Sequence, residues 1–140
     1  VICHNYTIDE TSNGIGAISD MTLEQLRSYD FGSYFHDEFR GTKLPTLDEF
    51  LTLCATADIE IMNIELKTPL SGEKGIVKET LAAVKEHGLF DKLLISSFSP
   101  ELLVECKRLD PRARRASSTA RTGRSPIRRC SSAMLNSPKR

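Results

Sequence analysis

Apolar runs of strand length alternate with capped, amphipathic helices along this chain, and that order restricts the fold more than any single motif does. Ile61 to Lys67 and Leu93 to Phe98 read as strands. Between them lies a helix from about residue 73 to His87, with Ile76, Val77, Leu81 and Val84 at helical spacing and Gly88 as its stop. Ser99-Pro100 opens another, carrying Leu102, Leu103 and Cys106 as far as Asp110-Pro111. Upstream, Thr46 to Glu49 has capping-box spacing ahead of Phe50, Leu51 and Cys54, and Thr22 to Gln25 opens a briefer helix that ends near Tyr29. Val1 to His4 reads as the end of a strand whose beginning is expected upstream, and residues 5–16 as a polar loop punctuated by Asn13-Gly14 and Gly16. The order strand, insertion, helix, strand, helix, strand, helix predicts parallel strands joined by right-handed crossovers, hence an α/β sheet or a barrel segment.

In such folds chemistry sits at the carboxyl ends of the strands, which gathers His4, Glu65, Lys67, Ser96, Ser97 and Phe98 on one rim. Side chains alternate along a strand, so Met62, Ile64 and Leu66 share one face while Asn63, Glu65 and Lys67 share the other. A carboxylate, an amide and an ammonium then converge. Each element also has a plainer reading: a solvated strand face, an exposed or structural histidine, and a Ser-Ser-Phe turn that caps a helix.

The 140 residues, 39% of them hydrophobic, suffice for one domain with a core. No run approaches the roughly 18 apolar residues that span a bilayer, and no signal peptide is visible, so a soluble chain without a transmembrane segment is expected. The net charge of zero conceals an asymmetry. Residues 1–111 hold ten basic and nineteen acidic side chains, net −9; residues 112–140 hold nine basic and no acidic ones, net +9. The Arg/Ser-rich segment 112–140 lacks aromatics and has few large aliphatics, so a disordered basic tail is expected, separate from a domain over 1–111. That tail leaves a second function class open: a non-catalytic remnant or binding module in which the tail contacts polyanions. Without interleaved aromatics, specific nucleic-acid recognition is not expected. A product of another reading frame is a further alternative for the tail. Cys3, Cys54, Cys106 and Cys130 form no C-x-x-C pair, which favours scattered thiols in a reducing compartment and a cytoplasmic location. Gly14-x-Gly16 lacks the third glycine of a dinucleotide loop, and Asp30-Phe31-Gly32 has no companion kinase motifs.

Taken together, His4-Asn5 with Thr7 to Gly16, Leu44 to Glu49, Asn63 to Lys67 and Ser96 to Pro100 closely resemble the glycerophosphodiester phosphodiesterase family in order and spacing, over about residues 1–110. The resemblance implies a segment of a TIM (β/α)8 barrel, about strands three to five, with a small insertion over residues 5 to about 43. It also implies metal-assisted hydrolysis of glycerophosphodiesters to glycerol 3-phosphate and an alcohol, by general acid/base catalysis with a divalent cation, Ca²⁺ or Mg²⁺. Under it His4 and Lys67 are catalytic, Glu65 is a metal ligand, and Lys67, Ser97 and Phe98 contact substrate. The sequence departs from the family pattern at Asn5, where Asp is usual, and at Glu10, where Arg is usual. It has no counterpart of the family's His-Arg strand or of the Glu and Asp that help hold the metal, so a partial site, inactive alone, is expected. The alcohol of the substrate and the oligomeric state are not specified.

Overall fold

Both capping boxes form. Ahead of α1 (Leu23–Ser28), Thr22 accepts the Gln25 amide at 3.2 Å while Gln25 accepts the Thr22 amide at 2.8 Å. Thr46 and Glu49 repeat the exchange at 3.2 and 2.8 Å ahead of α2 (Leu47–Thr56). The structure, a computed structural model, describes residues 1–68, 75–118, 130–135 and 138. Helix α3 (Ile76–Glu86) starts behind Gly75, whose φ of +113° is disfavoured for any residue with a Cβ. Helix α4 (Pro100–Leu109) starts with Pro100 at its first turn and Ser99 accepting the Leu102 amide.

Four strands, β1 (Ile61–Leu66), β2 (Leu93–Ser97), β3 (Arg114–Ser117) and β4 (Cys130–Leu135), form a parallel sheet in the order β3-β2-β1-β4. Helix α3 is the crossover from β1 to β2, as the alternation predicts, and α4 leads from β2 to a further parallel strand, β3. The alternation within β1 is also as predicted. Met62, Ile64 and Leu66 are buried with Leu93 and Ile95 against Leu51, Val77, Leu81, Val84 and Cys106, each contributing about 1.5–3 kcal/mol of burial. Val1, Cys3, Ile8, Ile18, Leu26 and Leu44 make a second cluster under the 5–43 insertion.

Three expectations need correction. Val1 to His4 does not form a strand: Ile2 makes one antiparallel bridge to Leu135 and donates its amide to Pro45 O at 2.9 Å, while Val1 and Cys3 turn into the second cluster. The edge of β1 that a preceding barrel strand would use is instead occupied by β4, in register from Ile61 beside Cys130 to Leu66 beside Leu135. Residues 112–140 are accordingly not a disordered tail throughout, since 114–117 and 130–135 are strands; residues 119–129, 136, 137, 139 and 140 lie outside the described residues. Composition misleads here because ladder hydrogen bonds are made by the main chain, whatever the side chains. Ala113 and Leu135 supply buried apolar anchors, and Arg114 donates to Leu93 O at 3.2 Å and Asp91 O at 2.7 Å. A boundary at residue 111 therefore does not separate ordered from disordered chain.

Cys3, Cys54 and Cys106 are buried and in no disulfide, with thiol pKa values pushed up by desolvation, which matches scattered core thiols. Among the described residues no helix is long and apolar enough to cross a membrane.

Candidate functional site

The polar face of β1 ends in an ion pair. Glu65 and Lys67 are two residues apart and therefore on the same side of the strand, and Lys67 Nζ donates to Glu65 Oε1 at 2.6 Å. Both side chains are largely removed from solvent, at 10% and 12% exposure, so each charge depends on its partner. The second carboxylate oxygen of Glu65 lies 3.5 Å from the Ser118 hydroxyl, just beyond β3. The ammonium also lies over the Phe98 ring, with Nζ 5.8 Å from the ring centroid.

Register places Ser96 beside Glu65, and its buried hydroxyl has no protein partner. Ser97 points the other way. Its hydroxyl donates to Leu66 O at 2.8 Å and accepts the Ser99 amide at 3.1 Å, and the side chain is 1% exposed. These bonds lock the β2-to-α4 turn against the end of β1. Of the expected substrate contacts, Lys67 and Phe98 are therefore at the rim, and Ser97 is part of its support.

His4 enters from the loop. Its position follows from Val1 and Cys3 facing the second core cluster and Ile8 anchoring the next turn, with Ile8 N bonded to Gly16 O at 3.0 Å. Asp9 accepts the Gly16 amide at 2.8 Å, and its pKa is lowered by the Thr7 hydroxyl and by that amide. Between this loop and the β1 rim lies a cavity of about 380 Å³ lined by His4, Asn5, Tyr6, Thr7, Glu10 and Lys67. The structure thus brings His4 and Lys67 to one cavity. His4 Nδ1 is 2.5 Å from Asn5 Oδ1, and Asn5 Nδ2 donates to Glu10 Oε2 at 2.8 Å.

Chemically, the cavity offers an imidazole for proton transfer and an ammonium for negative charge, with Phe98 beside the ammonium. A divalent cation is a poorer match for these residues. Among the described residues no three His, Cys, Asp or Glu side chains gather as a ligand set, and Glu65 Oε1 is already bonded to an ammonium. Glu65 could supply one hard oxygen ligand; it does not make a metal centre.

Sequence reasoning passed over Tyr6, Thr7 and Ser118, and treated Glu10 only as a departure. Glu10 had a signal, an acid on the loop that follows His4. Ser118 had none, because it lies in the segment read as disordered.

Comparison with known proteins agrees with the fold. The model of the glycerophosphoryl diester phosphodiesterase family matches residues 1–135, and the chain belongs to that family. Its members and the solved structures similar to this one are TIM-barrel enzymes. A glycerophosphodiester phosphodiesterase of Caldanaerobacter subterraneus is 35% identical over 111 residues, covering 79% of this chain and 45% of that protein. One from Bacillus subtilis is 30% identical over 125 residues, covering 79% and 42%. Among solved structures, an Oleispira antarctica phosphodiesterase in complex with the product sn-glycerol 3-phosphate superposes with a TM-score of 0.70 at 29% identity, covering 82% of this chain and 47% of that one. The chain thus spans about half the length of these relatives. The match reaches residue 135, past the boundary expected at Pro111 and through both β3 and β4.

Proposed function

We propose that this chain carries part of the active site of a phosphoric diester hydrolase that cleaves glycerophosphodiesters to glycerol 3-phosphate and an alcohol. The observation that carries the reading is the shared cavity of about 380 Å³, which His4 and the Glu65-held Lys67 both line. In barrel terms β1 and β2 correspond to strands four and five, with residues 5 to about 43 as the insertion.

Hydrolysis forms one P–O bond and breaks another, and the departing alkoxide needs a proton. His4 takes the proton of the attacking water oxygen at its ring nitrogen, and the resulting imidazolium is a source of the proton that the alkoxide needs, while Lys67 neutralises charge on the phosphoryl oxygens. Glu65 fixes the ammonium, so the cation does not have to be oriented during the reaction. Phe98 adds a cation–π contact to the same ammonium. Family enzymes generally depend on a divalent cation, here Ca²⁺ or Mg²⁺; Glu65 is the ligand this chain offers, and the described residues do not complete the set. The chain alone is therefore proposed to lack turnover.

The polyanion-binding alternative is not favoured by the described part of 112–140. Arg112 is bonded to Asp110 and Arg114 to main-chain oxygens, and the basic residues from Arg121 onward lie outside the described residues. The test is glycerophosphocholine hydrolysis by a chimera in which residues 1–111 replace the matching segment of the Caldanaerobacter relative.

A further inference from the structure

Asn5 and Glu10 are joined to each other and to His4. An ionised carboxylate only accepts hydrogen bonds, so the bond from Asn5 to Glu10 must be made by the amide nitrogen. That fixes which way the amide faces: its oxygen is left toward His4 Nδ1. An amide oxygen likewise only accepts, so Nδ1 must carry a hydrogen. In the neutral ring, Nε2 is then the unprotonated nitrogen.

We infer that Asn5 and Glu10 form a positioning relay that holds neutral His4 in its Nδ1–H tautomer and keeps Nε2 available for proton transfer in the cavity it shares with Lys67. Asn5 transmits the orientation and Glu10 imposes it. Glu10 places a negative charge one hydrogen bond beyond the amide that faces the ring. Neither residue touches the reacting atoms. The charged groups lining the cavity are Glu10 and Lys67, and Lys67 is bonded to Glu65, which leaves Glu10 as the acid that bears on His4 through Asn5. The inference rests on His4 as the proton-transferring residue, but its test needs no turnover.

The ring ¹⁵N shifts of His4 in the 140-residue chain, assigned against a His4→Gln variant and recorded at about pH 8 where imidazole is neutral, report the tautomer directly. The wild type should show Nδ1 protonated and Nε2 bare. Asn5→Ala should lower the Nδ1–H to Nε2–H ratio about fivefold, the equivalent of about 1 kcal/mol for one hydrogen bond. Glu10→Gln should lower it too, because a glutamine can accept as well as donate and no longer dictates the amide's orientation. Adding Asn5→Asp to Glu10→Gln should restore the ratio, since a carboxylate then accepts from Nδ1 directly. An unchanged ratio in Glu10→Gln, an exposed position whose change leaves the core intact, would overturn the relay. A relay that behaves as stated beside a chimera without hydrolysis would place the error in the functional reading instead.

Discussion

Lys67 Nζ and Glu65 Oε1 lie 2.6 Å apart on one face of β1, both largely desolvated, so neither charge is stable in place without the other. Lys67→Met should therefore destabilise the chain by about 3 kcal/mol, because it strands a buried carboxylate. Glu65→Gln combined with Lys67→Met should recover most of that loss. Urea unfolding of the single and double variants checks this, and a double variant no more stable than Lys67→Met would show that the two charges are not coupled.

The Ser97 hydroxyl joins the carbonyl of Leu66 to the amide of Ser99. Ser97→Ala leaves both buried groups short of a partner and should cost about 1–3 kcal/mol of stability. In the hydrolytic chimera the same change should leave KM for glycerophosphocholine unaltered at temperatures where the protein is folded. A raised KM with normal stability would return Ser97 to the substrate contacts.

Asp110 closes a different junction. It accepts from Arg112, two residues before β3, and pairs with Lys85 of α3 at 2.8 Å, and these cations hold its carboxyl well below the usual carboxylate range, Arg112 most strongly. A carboxyl depressed in the folded state stabilises the fold above its unfolded pKa of about 4 and loses that contribution as pH falls. Asp30, lowered by the Ser33 hydroxyl and the Gly32 amide, acts in the same direction. Asp110→Asn should lower the thermal midpoint at pH 7 and flatten its decline between about pH 5 and pH 3. Scanning calorimetry across that range reads both, and a decline as steep as the wild type's would contradict the assignment.

β4 covers the edge of β1 along its whole length, and Leu135 buries its side chain at the end of that pairing. Removing residues 119–140 should expose an unpaired row of β1 amides and carbonyls beside an apolar face, a template for association with other chains. Light scattering should report concentration-dependent aggregation of the shortened chain and none for the full one. A monodisperse shortened chain would mean that β4 contributes little to the sheet.

Legibility followed the kind of force involved. Both capping boxes, the inward faces of α2 and α3, the α4 start at Ser99-Pro100 and the alternation of β1 were readable because local hydrogen bonding and periodic burial dictate them. The pairing of Glu65 with Lys67 was half readable: period two puts them on one face, but nothing in the spacing says they bond. β3 and β4 were not readable, since their sequence offers little apolar surface and their place depends on a ladder edge formed elsewhere in the chain. Ser96 and Ser97 show the same limit at single-residue scale, where the register with β1 decides which hydroxyl faces the Glu65 side. His4 was identifiable as a candidate, while its bond to Asn5 and on to Glu10 needed the loop's path.

The most direct measurement is glycerophosphocholine hydrolysis, with Mg²⁺ or Ca²⁺, by the chimera that carries residues 1–111 in the Caldanaerobacter relative. The account predicts turnover that falls at least about 100-fold in His4→Ala, in line with loss of a general acid/base, and that is similarly impaired in Lys67→Ala. A folded chimera that hydrolyses no glycerophosphodiester, or one whose rate is indifferent to His4 and Lys67, would contradict it.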